Sequence, residues 1–349
     1  MALTPGKNLN LRWHQPGAYL ICLASIRGDM PGELMQALQA AGMTKHDASR
    51  ASLAAPQHWK ASWDALYAIV VDSRALDLVQ AAVVPLSEGW PEQGYKTAAD
   101  MQNVAAHLWF GAALLEGRVM CYLQPVLDGR GQVFGYESFA RARSSDGSVL
   151  GGGQVMEASR ALSIEYAVDR QLHVQAITTF ISSAFNGFLF VNLFPDFILR
   201  PEVYLEGLSE TALKQGLVSR HIVLDVMESE TRDPVQLHKI CDYARARGMS
   251  VALDDIQSLA AVRKFVPELS PDFVKLDSKL VARADQRASR DTIRLICELV
   301  HSHGGSVIAE GVETQSIYQQ LEPLGVDLFQ GYFLSPPLPV EAVLKRVVN

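Results

Sequence analysis

Seven short apolar segments of this chain each run into a carboxylate, an amide or a lysine: VFGYE (Glu137), FLFVN (Asn192), HIVLD (Asp225), SVALDD (Asp254, Asp255), FVKLD (Lys275, Asp277), SVIAE (Glu310) and DLFQ (Gln330). A buried β-strand has little use for a terminal charge, because burying an unpaired one costs several kcal/mol. One architecture gathers many such residues in one place. In a parallel β/α barrel every strand directs its C-terminal end to a common face. Here that face is acidic, which suits divalent cations.

The pattern along the chain fits this reading. Strand signals fall at 119–127, 133–141, 188–194, 221–227, 250–256, 272–277, 306–310 and 328–334. Helix signals lie at 154–183, 202–216, 234–247, 258–267, 286–303, 314–323 and 340–347. Only DGRGQ joins the first two strands, too short for a crossover, so they are expected to pair antiparallel. The fold class is therefore α/β: a (β/α)8 TIM-like barrel with an antiparallel first strand over 118–349, preceded by a small α/β domain.

That domain is assigned to residues 1–93, with 94–117 as a helical linker. AYLICLAS (18–25) and ALYAIVVDS (65–73) read as strands buried on both faces, and PGELMQALQAAGM (31–43) as a helix ending at glycine. The order is faintly receiver-like, with Asp72 at a strand end, but SIRGD stands where a receiver's paired acids belong. A turn or cap role for Asp72 is the simpler expectation.

Composition narrows the partners. A net charge of −7 disfavours a nucleic-acid polymer, which needs a basic surface. It leaves room for a small phosphorylated ligand met by cations. The four cysteines, Cys22, Cys121, Cys241 and Cys297, form no CxxC pair and read as free thiols of a reducing compartment. No apolar run approaches a membrane span, and MALTPGKNLNLRWHQPG carries no signal-peptide core. The expected location is cytoplasmic.

Taken singly, each polar strand end has an ordinary explanation. Glu137 suits a solvated edge, Asn192 a turn, Asp254 and Asp255 helix caps, Lys275 and Asp277 a local ion pair. Taken together on one barrel face they point to ligand chemistry. They also carry a specific resemblance. YLQPVLDGRGQVFGYESFAR is similar to the opening of the EAL domain, a family of cyclic di-GMP phosphodiesterases, and FVNLFP, VLDVMES, VALDD, VKLD, AEGVETQ and LFQGYFLSPPLP resemble its later motifs in order. Asp254 and Lys275 stand 21 residues apart, as the family requires. The resemblance covers about residues 118–345.

The resemblance implies a role for each matched residue. Glu137, Asn192, Asp254 and Asp255 fall on ligands of two divalent cations, Mg2+ or Mn2+, and Asp225 on a further ligand position that is normally glutamate. Glu310 and Lys275 fall on the groups that activate and hold the attacking water. Arg141, Gln330, Phe139 and Asp277 are expected around the dinucleotide, with Arg141 on a phosphate. Glu228 and Glu313 are expected to stabilise loops. The product would be pGpG, the working form a homodimer, and a signalling protein a possible partner.

Three departures bear on activity. Glu137-Ser138-Phe139 replaces Glu-Ala-Leu, so a bulkier ring stands beside a ligand and either narrows the pocket or stacks on a base. Asp225 withdraws a carboxylate by roughly 1.5 Å on bond-length grounds, whereas metal bonds tolerate a few tenths of an ångström. The segment Asp255-Ile256-Gln257-Ser258-Leu259-Ala260-Ala261-Val262 has lost both glycines of the family's loop and is expected to fold differently. Hydrolysis, weak or regulated, is the leading reading, because only hydrolysis needs both a base and a water-holding lysine. The alternatives are a receptor that holds the dinucleotide without cleaving it and an interaction scaffold.

Overall fold

The computed structural model describes residues 18–55, 59–88, 91, 95–194, 198, 200–227 and 234–347. They divide into two compact units. One holds the described residues up to Val119 together with Ala142–Glu165, the other Met120–Arg141 and the described residues from Tyr166 onward.

The first unit begins with β1 (Tyr19–Ser25), α1 (Gly32–Ala40), β2 (Thr44–Lys45), β3 (Arg50–Ala55), α2 (Lys60–Asp72), β4 (Val79–Pro85), β5 (Lys96–Thr97) and α3 (Ala98–Leu115). The sheet order is β2-β3-β1-β4-β5, with β1 antiparallel to both β3 and β4. This is a split β-α-β-β-α-β arrangement. The largely apolar β1 takes the centre, where both of its edges are paired. The strand expected at 65–73 is instead the second half of α2. Its apolar run is long enough for a buried strand, but the buried residues Trp63, Leu66 and Val70 recur at helical spacing while Val71 is exposed. Asp72 therefore closes a helix, and the antiparallel sheet excludes the receiver-like order. Thr97 caps α3 by accepting from the Asp100 amide at 3.1 Å.

The chain continues through β6 (Val119–Asp128), β7 (Val133–Arg143), β8 (Val149–Leu150), α4 (Gly152–Leu162), α5 (Glu165–Ser182) and β9 (Phe188–Leu193). Next come α6 (Pro201–Lys214), β10 (Ile222–Met227), α7 (Pro234–Ala246), β11 (Ser250–Ile256), α8 (Leu259–Leu269) and β12 (Phe273–Leu276). The last elements are α9 (Ser278–Val281), α10 (Arg287–Ser302), β13 (Ser306–Ala309), α11 (Gln315–Leu321), β14 (Leu328–Phe329) and α12 (Val340–Val347). Where one helix was expected over 154–183 there are two, because Ser163 turns left-handed (φ 54°) between α4 and α5. The last strand is two residues long rather than seven, since the chain turns away at Gly331.

Eight strands close a barrel in the order β6-β14-β13-β12-β11-β10-β9-β7, with β6 also paired to β7. Neighbours from β7 through β9 to β14 run parallel, whereas β6 is antiparallel to β14. The turn between β6 and β7 is held by Asp128, whose Oδ1 accepts from the amides of Arg130 and Gln132. Alternation along the strands sorts the core into two layers. Val126, Phe190, Val223, Ala252, Phe273, Ile308 and Leu328 fill the interior. Leu189, Val191, Leu224, Val226, Val251, Leu253 and Val274 belong to the larger apolar cluster that includes the surrounding helices.

Candidate functional site

The period of two that builds the interior also builds the site. Two residues beyond interior Phe190, Val223, Ala252, Phe273, Ile308 and Leu328 stand Asn192, Asp225, Asp254, Lys275, Glu310 and Gln330. Each polar side chain thus occupies the next level of the same strand face, toward the strands' C-terminal ends. Glu137 joins them from β7, in register with Phe190 on β9.

Lys275 is the centre. It is fully buried, and its Nζ lies 2.5 Å from Asp225 Oδ2, 2.6 Å from Glu310 Oε1, 3.1 Å from Glu137 Oε2 and 3.3 Å from Asp254 Oδ1. Burial works against this ammonium, but the carboxylates around it, Asp225 foremost, outweigh that and hold its pKa well above the usual lysine range. Asp225 is also fully buried. Desolvation first, then the charge of Asp254, pushes its pKa well up despite the lysine. Glu310 keeps a fifth of its side chain exposed, and desolvation pushes its pKa up to about 8, with Asp254 and Glu137 adding to the shift and Lys275 opposing it.

Asn192 and Gln330 support Glu137 from either side. Asn192 Nδ2 donates to Glu137 Oε1 at 3.1 Å and to the Ser138 carbonyl at 3.3 Å. Gln330 Nε2 donates to Glu137 Oε2 at 2.9 Å and to Gln124 Oε1 at 3.1 Å. Gln124, a buried residue in the middle of β6, in turn donates to the Ser335 carbonyl at 2.8 Å. Sequence reasoning passed over Gln124, although a glutamine inside the apolar YLQPV segment was the available signal.

One feature of the site has no counterpart in strand alternation. Between β11 and β12 the register slips at Leu253–Ile256, and Asp255 sits left-handed at φ 58°. Regular alternation would aim Asp254 and Asp255 to opposite faces. The bulge re-aims the second carboxylate, so that ligand oxygens of Asp254, Asp255 and Glu310 all lie within 4.8 Å of one another. Asp is among the few residues that tolerate this conformation. The Asp255 carboxyl is pushed up by burial, then by the neighbouring Asp254 and Asp277. Beyond the bulge only Gln257 and Ser258 precede α8, and Ser258 caps that helix by accepting from Ala261 N.

The remaining sequence candidates are more scattered. Asp277 is buried and caps α9, its Oδ1 accepting from Lys279 N at 2.9 Å. Arg141 packs its guanidinium 5.4 Å from the Tyr122 ring centre and 5.8 Å from that of Phe139, which is half-buried. Glu313 is exposed and makes no ion pair or hydrogen bond among the described residues. Glu228 lies outside the described residues. The segments carrying Glu310 and Gln330 are bound together: Val312 N donates to the Gln330 carbonyl and Phe333 N to the Val312 carbonyl, both at 3.0 Å. A Cβ at Gly331 would lie 2.2 Å from Val312 N, so only glycine permits the approach.

The donor set is all oxygen, as hard cations require. Among the described residues, two of its fully buried oxygens, Asp225 Oδ1 and Gln330 Oε1, have no hydrogen-bond partner. Orphaned buried oxygens beside clustered carboxylates are what a cation site leaves when its cation is not counted. The residues present therefore fit divalent metal ions.

A barrel with its strand ends so furnished matches a known family: the EAL domain profile aligns with residues 109–337. The chain belongs to the EAL domain family. Among curated relatives, cyclic di-GMP phosphodiesterase PdeL of Escherichia coli is 33% identical over 119 residues, a third of each chain. The EAL protein YkuI of Bacillus subtilis is 26% identical over 235 residues, 66% of this chain and 57% of YkuI. The chain thus spans only part of these relatives. An EAL domain protein of Listeria monocytogenes shares the fold at a TM-score of 0.62 and 22% identity, covering 70% of this chain and 97% of that one. Among the described residues no helix is long and apolar enough to cross a membrane.

Proposed function

We propose that this EAL barrel hydrolyses cyclic di-GMP to pGpG with the aid of Mg2+ or Mn2+. The observation that carries the reading is the Lys275–Glu310 pair, a buried ammonium and a basic carboxylate 2.6 Å apart among metal-type oxygen ligands. A receptor has no need of that pair. The family's relatives support the substrate: YkuI has been crystallised with cyclic di-GMP and calcium, and PdeL is a cyclic di-GMP phosphodiesterase.

In this reading Glu137, Asn192, Asp254 and Asp255 hold the cations, with Asp225 beneath them. One lysine against five carboxylates leaves an excess of four negative charges when all are ionised, and two divalent ions bring the opposite charge. When bound, the cations lower the pKa of a water toward neutrality and stabilise the leaving alkoxide of an in-line displacement. Glu310 accepts the proton of the attacking water, for which its place beside Lys275 and the Asp254–Asp255 carboxylates suits it. Lys275 donates to that water and offsets charge as the phosphodiester is attacked. Arg141, already backed by Tyr122 and Phe139, binds a phosphate oxygen, and the exposed edge of Phe139 borders a guanine.

The receptor reading draws on one observation, the locking of Asp225 onto Lys275 at 2.5 Å, which withdraws both groups. One experiment separates the two. Purified protein is incubated with cyclic di-GMP and either cation, and the nucleotides are separated by chromatography. Appearance of pGpG supports hydrolysis; binding without pGpG establishes the receptor.

A further inference from the structure

Three polar side chains lie buried between α5 and α6: Asp169, His173 and Tyr204, each 4% exposed. Packing two helices together requires none of them, and burying polar groups is costly unless every one is bonded. They form a single chain of hydrogen bonds. His173 Nε2 donates to the main-chain carbonyl of Asn192 at 2.8 Å. His173 Nδ1 lies 2.7 Å from the Tyr204 hydroxyl, which also bonds Asp169 Oδ2. The β7–β9 ladder ends at Ser138–Val191, one residue short of Asn192, so the imidazole supplies a donor just where pairing with β7 stops. On the other side β10 still pairs Asn192 with Asp225.

The Asn192 carbonyl sets the polarity at this end of the chain. A carbonyl only accepts, so Nε2 carries a proton. The Tyr204 hydroxyl then bridges His173 Nδ1 to Asp169 Oδ2, and burial pushes the Asp169 carboxyl up. At the other end, Asn192 Nδ2 is fully engaged by Glu137 and Ser138. Oδ1 is left as the one polar atom of the side chain without a partner among the described residues.

We propose that Asp169, Tyr204 and His173 are positioning residues that fix the Asn192 peptide, and so present Asn192 Oδ1 beside Glu137 as a ligand for a divalent cation. This rests on the cation reading above. The three touch neither cation nor substrate, and they act through the Asn192 backbone alone. Outer groups of this kind are worth 10- to 100-fold in metal affinity.

Calorimetric titration of the full chain with Mn2+ tests the proposal. Tyr204→Phe keeps the ring, which packs edge-on against Tyr166 at 5.7 Å, and removes only the hydroxyl. It should weaken Mn2+ binding about 10-fold, and His173→Phe up to about 100-fold. His173→Gln, whose amide still offers a donor, should recover most of the loss. Leu208→Ala, a buried cavity-forming change on α6, should lower Tm yet leave the Mn2+ affinity unchanged. If His173→Phe does not fold, Tyr204→Phe decides. Wild-type affinity in Tyr204→Phe, or an equal loss in Leu208→Ala, overturns the proposal while leaving the cation reading intact. No Mn2+ uptake by the wild type overturns both.

Discussion

Lys275→Met probes the centre of the site most directly. Methionine keeps the length and fills the buried volume, so the change removes a charge rather than making a cavity. Four carboxylates then face one another with no cation between them, at positions that held Nζ within 3.3 Å. Removing one partner of a buried ion pair costs about 3–5 kcal/mol. Protonation limits the loss, since Asp225 and Glu310 already hold their protons unusually well. At about 2–4 °C per kcal/mol for a domain of about 150–250 residues, Tm should fall by about 6–20 °C in EDTA. Mn2+ at about 100 times its Kd returns about 2.7 kcal/mol, so more than half of the loss should be recovered in its presence. Thermal unfolding followed by circular dichroism, with and without Mn2+, gives both numbers. An EDTA Tm within about 2 °C of wild type would refute the view that the lysine holds these carboxylates together. A variant Tm that Mn2+ does not raise would refute the view that a metal can take over the lysine's charge.

Three further outcomes follow from the same geometry. Glu310→Gln keeps size and polarity but removes the proton acceptor, so pGpG formation should drop by about 10²–10⁴ while dinucleotide binding persists; undiminished turnover would exclude Glu310 as the base. Asp225→Glu restores the missing methylene and should tighten Mn2+ binding in calorimetry, whereas a weaker affinity would show a site adapted to aspartate. In EDTA, Glu310 is held at about 8 against about 4.3 in the unfolded chain, and Asp225 is shifted the same way. The native state therefore binds more protons than the unfolded state between these limits, and Tm should fall as pH rises from about 5 to about 8. A Tm that rises through that window would contradict the buried, desolvated environment of both groups.

Much of the barrel and its site could be read from the sequence because both follow one rule, alternation along a strand. That rule places Asn192 above Phe190 and Glu310 above Ile308, and it is written in the residue order. What escaped has a different origin. The run ALYAIVVDS is long enough for a buried strand and becomes half of α2, since run length alone does not separate a buried strand from a helix with one buried face. Ser163 breaks a helix with neither glycine nor proline to announce it. Asp255 is assigned to the site by resemblance, but the bulge that brings it there is a backbone event that alternation predicts against. Asp169, His173 and Tyr204 are single polar residues on amphipathic helices, where sequence gives no reason to look inward. Gln124 was visible as a polar residue in an apolar strand.

The seam at Gly331 has a kinematic consequence. The stretch after β13 carries the carboxylate assigned as base, and the stretch after β14 carries the amide that holds Glu137. With main-chain bonds on both sides of Val312 and no room for even a methyl group between the two stretches, they form one rigid piece. Any signal that shifts Gln330 must carry Glu310 with it. Such a barrel has no graded setting in which ligand support weakens while the base stays in place. Control exerted through this side of the mouth would engage or disengage both functions in a single stroke.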